Sequence, residues 1–259
     1  MGTLTKKMVV FDIDGTLLGS DKKVLLSTFE ALAKLKEQGH ALFAATGRSL
    51  FYAKPILQLL DFQNYIVCNG AIGFIEHQQI FSNELKADDL LSLLDRFAQL
   101  KVDAAIVTLQ QLQRVSSFDI EKMRRAMSYV GGDLPSMYNK SEEPIYQVLA
   151  FYDHTLESKI EPYFSTFEFV RWHDTGVDII PVGGTKATTI LEVAGQLGFE
   201  SKDILSFGDG LNDREMLQVS GVGVAMGNAA PEVQKHADLI TDTNNDDGIF
   251  NALKKLSLI

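Results

Sequence analysis

The sequence contains few of the residues that cross-link chains, bind nucleic acid or enter membranes. Cys68 is the only cysteine among 259 residues, so this chain can form neither an intrachain disulfide nor a cysteine-based zinc site. It has no run of about 18 apolar residues, which leaves no candidate transmembrane helix. The stretch MGTLTKKMVVF contains no apolar segment long enough for a signal peptide, and we therefore expect a cytoplasmic protein.

Basic residues are also scarce relative to acidic ones. The chain has 24 Lys and Arg against 34 Asp and Glu, a formal net charge of −10. Such a chain lacks the positive field that attracts nucleic acid or anionic lipid, so we predict that it binds neither nucleic acid nor membrane. A small phosphorylated substrate is compatible with this charge, because a metal ion and a few cations can reverse the potential inside one cleft.

Short apolar runs alternate with helical patterns at both ends of the chain. Buried strands are predicted at 8–11, 41–45, 65–68 and 204–207, with helices such as 26–39 and 49–60 between them. Strand–helix–strand alternation with short connections predicts an α/β fold, a doubly wound, parallel, Rossmann-like sheet.

The middle of the chain has a different pattern. Between 82 and 183 the predicted strands are longer and half-exposed, as in 167–173, which favours an antiparallel α+β layer. We therefore predict a core domain formed by residues 1–81 and 184–259, with an α+β domain of residues 82–183 inserted into it.

Polar side chains follow each predicted core strand. In open parallel sheets, ligands bind at the carboxyl ends of the strands. The residues at these ends are Asp12 and Asp14; Thr46, Gly47 and Arg48; Asn69 and Gly70; and Gly208, Asp209, Gly210, Asn212 and Asp213, with Thr185 and Lys186 at the start of a later helix. Because they share one edge of the sheet, this edge is the predicted site.

The acids of this edge call for a cation. Asp12, Asp14, Asp209 and Asp213 would repel one another, and Asp12 and Asp14 have no basic residue beside them in the sequence. Mg²⁺ is the expected cofactor, since it prefers oxygen ligands and keeps several waters. Asp209 and Asp213 would share one helix face if a helix has begun by Asn212.

The remaining residues of the edge are suited to an anion. The Thr46 hydroxyl and the Gly47 backbone could hold a phosphoryl group, although Thr and Gly also serve as helix caps. Lys186 lies at the unfavourable end of a helix for a cation, which favours a functional role in neutralising the acids and a phosphoryl group. Arg48 could act similarly, or it could be an ordinary exposed helix arginine.

Four segments in this order, FDIDGTLL, ATGR, Lys186 and SFGDGLNDREML, resemble the motifs of the haloacid dehalogenase superfamily. The tail GVGVAMGNAAPEV, CNGA at 68–71 and the insert before Lys186 look like its Cof-type branch. The resemblance covers 1–81 and 184–259, and Thr185-Lys186-Ala187 departs from the frequent Ser-Lys-Gly while keeping the lysine. It implies a Mg²⁺-dependent phosphatase with a type IIB α+β cap, acting on small phosphorylated metabolites.

The resemblance also implies residue roles. Asp12 would be the nucleophile, which forms an aspartyl-phosphate, and Asp14 the general acid and base. The metal site would comprise Asp12, Asp14 through its carbonyl, Asp209 and Asp213, which orients the metal's waters. Lys186 would bind the phosphoryl group, and the candidate phosphate-binding set is Thr46, Gly47, Lys186 and Asn212.

Substrate selection is assigned to the insert, where the sequence is least explicit. Candidate substrate contacts are Arg48, Asn69, Arg171 and Asp178, and the substrate class we expect is sugar phosphates. A phosphosugar mutase is an alternative, but it would need a basic cluster, and the insert offers only scattered cations such as Arg114, Lys140 and Arg171. A binding protein without turnover is another alternative, although it would not need both Asp12 and Asp14. The sequence leaves the oligomeric state open between monomer and weak dimer.

One further acidic segment, 241–248 (TDTNNDDG), resembles a calcium loop only superficially. It lacks the ligand spacing and the closing bidentate acid of that motif. We predict a solvated loop there.

Overall fold

The computed structural model describes residues 6–139 and 143–259, and within these the strands follow in chain order. They are β1 (Met8–Phe11), β2 (Ala41–Ala45), β3 (Asn64–Val67), β4 (Ile72–Ile75), β5 (Gln78–Ser82), β6 (Asp103–Val107), β7 (Leu112–Arg114), β8 (Ser136–Met137), β9 (Gln147–Phe151), β10 (Phe167–His173), β11 (Gly176–Pro181), β12 (Ile204–Gly208), β13 (Val222–Ala225) and β14 (Leu239–Ile240).

The α-helices of the described residues alternate with these strands. They are α1 (Leu26–Glu37), α2 (Leu50–Leu59), α3 (Ala87–Leu100), α4 (Ile120–Tyr129), α5 (Glu157–Ile160), α6 (Lys186–Gln196), α7 (Arg214–Val219), α8 (Pro231–Gln234) and α9 (Gly248–Lys255). None of them is both long and apolar enough to cross a membrane.

Among the described residues, the first compact unit comprises 6–47, 53–81 and 185–259, and it contains a sheet in the order β14-β13-β12-β1-β2-β3-β4-β5. The strands from β14 to β3 are parallel, and β4 joins β3 antiparallel. All four side chains of β1 are buried, and Met8 and Val10 belong to one apolar cluster with Ile190 and Val193 of α6. The predicted doubly wound parallel sheet is confirmed, with β1 and β12 side by side in its middle.

The second unit comprises residues 48–52 and 82–184, with a six-stranded sheet in the order β10-β11-β9-β6-β7-β8. Its pairs are antiparallel except β7 with β8, which is parallel. Leu93 and Phe97 of α3 pack on Ile106, Val148 and other residues of one sheet face. This is an α+β layer of the predicted kind. The assignment of residues 82–183 to an inserted domain stays a prediction, and Lys140 lies outside the described residues.

Candidate active site

Two carboxylates meet where β1 and β12 end. Phe11 is in register with Phe207, and the backbone N–H of Asp12 donates to the Phe207 carbonyl at 2.9 Å. Asp12 therefore follows β1 at the point where Asp209 follows β12. The carboxyl ends of these adjacent parallel strands bring both residues to one edge of the sheet, as predicted.

Lys186 lies between two of the acids. Its Nζ is 2.5 Å from Asp12 Oδ1 and 2.8 Å from Asp213 Oδ1, and the side chain is only 1% exposed. Burial lowers the pKa of Lys186, but the attraction of Asp12 and Asp213 outweighs it and raises the pKa above its ordinary value. The lysine is therefore charged, and these ion pairs hold it in the first turn of α6, where the helix dipole opposes a cation.

Asp213 is reached through a tight turn. Residues Leu211–Asp213 form a 3₁₀ turn, and α7 begins only at Arg214. The helix that was predicted to have begun by Asn212 is therefore a 3₁₀ turn at that residue and not an α-helix. Asp213 folds back under the loop, and its Oδ2 accepts from the backbone N–H groups of Asp209 (3.0 Å) and Gly210 (2.8 Å). This turn, and not a shared α-helix face, brings Asp213 next to Asp209.

Asp209 packs against the loop that follows β1. Thr16 Oγ1 donates to Asp209 Oδ1 at 2.9 Å. Gly15, with φ +82°, lies so close that a Cβ there would overlap the Asp209 carboxylate, and only glycine meets both conditions. Burial, helped by the charge of Asp213, raises the pKa of Asp209 to about 7.

The acidic residues fit a divalent cation. One oxygen each from Asp12, Asp209 and Asp213 can be chosen so that all lie within 4.8 Å of one another. Burial raises the pKa of Asp12 well above its usual range, and the charges of Asp213 and Asp209 raise it further, although Lys186 opposes them. When all three carboxylates are ionised, the single Lys186 ammonium leaves an excess of negative charge. An oxygen-liganded divalent metal would balance it.

A cation that the sequence argument missed lies beside Asp14. Lys22 Nζ is 3.0 Å from Asp14 Oδ1, in a pair that is partly exposed. The sequence shows no basic residue beside Asp14, so this partner was not predicted. Lys22 lies eight residues further along the chain and is brought back by the turns of residues 13–22, which no short-range pattern indicates.

The phosphate-binding candidates Thr46, Gly47 and Asn212 lie around Asn69. The backbone N–H of Asn69 donates to the Thr46 carbonyl at 3.0 Å, and a Cβ on Gly47 would crowd the Asn69 side chain. Asn212 Nδ2 donates to Asn69 Oδ1 at 2.8 Å. Asn69 has φ 55°, and Thr189 Oγ1 holds the next residue by donating to the Gly70 carbonyl at 2.5 Å. The loops after β2, β3 and β12 are thus joined.

The other candidate substrate contacts belong to the second unit. Arg171 is held there by the Glu157 carboxylate (2.8 Å) and by the Tyr152, His173 and Asp174 carbonyls (3.0–3.2 Å), and its guanidinium lies over the Tyr152 ring. Asp178 lies on β11 and is 9% exposed, and Arg48 Nη1 donates to the Tyr52 carbonyl at 3.4 Å. Their roles as substrate contacts stay predictions.

Asn228 is a further residue of this edge that was not predicted from the sequence. Its Nδ2 donates to the Gly15 carbonyl at 2.9 Å and to Asp209 Oδ2 at 3.2 Å. Asn228 follows β13, so the strand-end rule that found Asp12 and Asp209 could have found it as well. The prediction of a solvated loop at 241–248 is wrong at Asn244, which is buried and donates from Nδ2 to the Leu18 carbonyl at 2.8 Å.

Comparisons with known proteins agree with this geometry. The family described as haloacid dehalogenase-like hydrolase matches residues 9–253. "Putative phosphatase YkrA" of Bacillus subtilis is 36% identical over 99% of this chain and 100% of its own length. "Pyridoxal phosphate phosphatase YbhA" of Escherichia coli is 28% identical over 95% of this chain and 97% of its own.

A solved structure extends the likeness to the whole fold. The protein BT4131, described as a "HAD Subclass IIB Sugar Phosphatase", superposes with a TM-score of 0.87 at 27% identity and covers 98% of this chain and 100% of its own. The predictions of a Cof-type phosphatase of this superfamily and of a Rossmann-like core with a cap are confirmed at this level. The chain belongs to the family of haloacid dehalogenase-like hydrolases.

Proposed function

We propose that the protein is a Mg²⁺-dependent phosphomonoester hydrolase that acts on small phosphorylated metabolites through an aspartyl-phosphate on Asp12. The observation that carries the proposal is the position of Asp12. Asp12 lies at the end of a central strand, and its Oδ1 is 2.5 Å from Lys186 Nζ. It also belongs to a cluster of three acidic residues, in a chain that matches a family of hydrolases.

Asp12 is assigned the nucleophilic step. One carboxylate oxygen attacks phosphorus, the P–O bond to the leaving alcohol breaks, and a water later attacks the phosphorus of the acyl phosphate to release phosphate and restore the carboxylate. Dividing the displacement in this way replaces one difficult step by two easier ones. Asp12 Oδ1 accepts a hydrogen bond from Lys186 Nζ. We therefore assign the attack on phosphorus to the other carboxylate oxygen, Asp12 Oδ2.

Asp14 is assigned the proton transfers. It would donate a proton to the leaving oxygen and then take one from the attacking water. Asp14 lies two residues beyond the nucleophile, and its side chain keeps 38% exposure. That exposure supports proton exchange with solvent between the two steps.

The phosphoryl group would be held by Lys186, the Thr46 hydroxyl, the Gly47 backbone and Asn212. Hydrogen-bond donors that are fixed before the reaction stabilise the charge of the transition state without reorganisation. The contacts through Asn69 support such fixing, because they tie the loops of Thr46 and Asn212 together.

Mg²⁺ would be held by the Asp12 and Asp209 carboxylates and the Asp14 carbonyl. We assign Asp213 to orienting the metal's waters and not to a direct bond, because Lys186 occupies its Oδ1 and two backbone N–H groups occupy its Oδ2. When bound, the ion supplies positive charge that favours the ionised carboxylates and polarises a phosphoryl oxygen.

Sugar phosphates are the substrates to test first. BT4131 is a sugar phosphatase by description, whereas the Escherichia coli relative is a pyridoxal phosphate phosphatase, so both classes belong in the panel. The mutase alternative receives no support from Arg171, whose guanidinium is bound to Glu157 and three carbonyls of its own unit.

Phosphate release from sugar, nucleotide and cofactor phosphates tests the proposal. We expect release with Mg²⁺, none with chelator, and none from folded Asp12→Asn protein. Sugar-phosphate isomerisation without released phosphate would instead establish a mutase, and ligand binding without turnover at any metal concentration would establish a binding protein.

A further inference from the structure

Asn228 connects the two loops that carry the acids. Its side-chain amide donates to the carbonyl of Gly15, in the loop after β1, and to Asp209 Oδ2, in the loop after β12. The two loops also touch directly at Gly15, where a Cβ would overlap the Asp209 carboxylate. The Asn228 side chain therefore bridges the two loops at the place where they touch, and this contact sets the distance between Asp14 and Asp209.

The orientation of that amide is fixed from the other side. The backbone N–H of Asn244 donates to Asn228 Oδ1 at 2.9 Å, which leaves the NH₂ group directed at Gly15 and Asp209. Asn244 in turn donates from its buried Nδ2 to the Leu18 carbonyl at 2.8 Å. A third asparagine, Asn245, binds Ser20. Its Oδ1 accepts from the Ser20 backbone N–H at 3.0 Å, and its Nδ2 donates to Ser20 Oγ at 2.9 Å.

These contacts follow the loop of residues 14–20 from its first half to its end. Gly15, Leu18 and Ser20 are each held by an asparagine side chain that lies more than 200 positions away in the sequence. We name Asn228, Asn244 and Asn245 the asparagine clasp. A fixed polar contact of this kind restricts a loop that has few strand or helix hydrogen bonds of its own.

We propose that the asparagine clasp positions the 14–20 loop and Asp209 for metal binding, with Asn228 as its main positioning residue. The inference rests on the proposed function. The Asp209 carboxylate is held on both oxygens, by Thr16 at Oδ1 and by Asn228 at Oδ2, so its plane is set before an ion arrives. Residues that orient a metal-binding carboxylate in this way commonly change metal affinity by 10–100-fold when they are replaced, by the general rule for outer contacts.

Asn228→Ala tests this, because Asn228 is exposed and its loss leaves no buried cavity. Asn64→Ala is the matched control, at the start of β3. Like Asn228, Asn64 donates from Nδ2 to a backbone carbonyl, that of Leu42 (3.1 Å), and accepts at Oδ1 from a backbone N–H, that of Glu76 (3.0 Å). Both proteins are compared with wild type by calorimetric Mg²⁺ titration without substrate. They are also compared by hydrogen exchange of the Leu17 and Leu18 amides in chelator.

For Asn228→Ala we expect the Mg²⁺ dissociation constant to rise about tenfold and loop exchange to quicken about tenfold, with an unchanged unfolding midpoint. Asn64→Ala should change neither quantity. Unchanged loop exchange in Asn228→Ala would overturn the inference. Faster exchange with unchanged Mg²⁺ affinity would also overturn it, because the clasp would then be only structural.

Failure of the proposed function gives a different result. A wild-type protein that neither binds Mg²⁺ nor releases phosphate would refute that function and, with it, the metal part of the inference. The exchange comparison in chelator would still decide whether the clasp holds the loop.

Discussion

Replacing Lys186 by methionine should destabilise the metal-free protein strongly. The side chain is 1% exposed and its ammonium touches Asp12 and Asp213, which are themselves buried. Methionine keeps the approximate volume and removes the charge, so two carboxylates lose their buried cation. Removing one partner of a buried ion pair generally costs about 3–5 kcal/mol, and we expect a loss of that size near neutral pH.

The loss should depend on pH with a definite sign. The raised pKa of Lys186 means that its stabilising contribution is fully present through neutral pH and is lost only as the pH rises through its folded value. In the variant, the pKa of Asp12 loses the lowering effect of Lys186 and rises further. A carboxyl group with a raised folded pKa stabilises the fold at low pH and loses that contribution as pH rises, so the deficit should shrink on acidification from about pH 8 to about pH 5.

Urea unfolding of wild type and Lys186→Met in chelator, at several pH values, measures this deficit. Lys202→Met is the matched control, since Lys202 pairs with Glu200 at 2.6 Å but is 73% exposed, and exposed pairs contribute little. A deficit below about 1 kcal/mol at pH 8, or one that does not change with pH, would refute the account of a buried, charge-compensated site.

Other predictions concern single contacts. Burial raises the pKa of Asp209 to about 7, so its contribution to stability should be lost as pH rises from about 4 to about 7. The measurement is the unfolding free energy of wild type minus that of Asp209→Asn, both in chelator. We expect this difference to fall over that range, and a constant difference would contradict the prediction. Gly15→Ala should reduce phosphate release about tenfold or more, because a Cβ there would overlap the Asp209 carboxylate. Gly198 has a similar φ (+78°) but open space around it, so Gly198→Ala should lower stability by about 1 kcal/mol and leave activity unchanged. Equal activities of the two variants would contradict the close approach of Gly15 to Asp209. Asp103→Asn should lower the unfolding free energy by about 2–3 kcal/mol, because the buried carboxylate accepts from Ser116 Oγ and the N–H groups of Phe118 and Asp119. The exposed Asp95→Asn should have no such effect, and similar unfolding midpoints for the two variants would count against the buried network.

The centre of the site was predictable because one geometric rule governs it. Apolar runs end at Asp12 and just before Asp209, and parallel strands deliver their carboxyl ends to one edge. Lys186 was identifiable because a cation in the first turn of a helix needs a compensating partner, and it has two. The inference about the acids needs only the order and direction of the strands, and the inference about Lys186 needs only the start of a helix.

Contacts made by loops that return from afar were not predictable in this way. Lys22 reaches Asp14 through a turn, and Asn244 reaches Leu18 across more than 200 positions of sequence. The sequence pattern does not indicate the hairpin of β4 and β5 either. Its turn uses Glu76 and His77 at positive φ (48° and 64°) instead of the Asn-Gly pair that usually marks such a turn.

The most direct test of the central claim is to trap the phosphorylated enzyme. An aryl phosphate has a leaving group that needs no proton, so Asp14→Asn protein should still be phosphorylated with Mg²⁺ while the water step is slowed. After an acid quench, peptide mass spectrometry should locate one phosphoryl group on Asp12, and the Asp12→Asn, Asp14→Asn double variant should carry none. Phosphate release by wild type with no phosphoryl group on Asp12 under any quench, or with the group on another residue, would contradict the account.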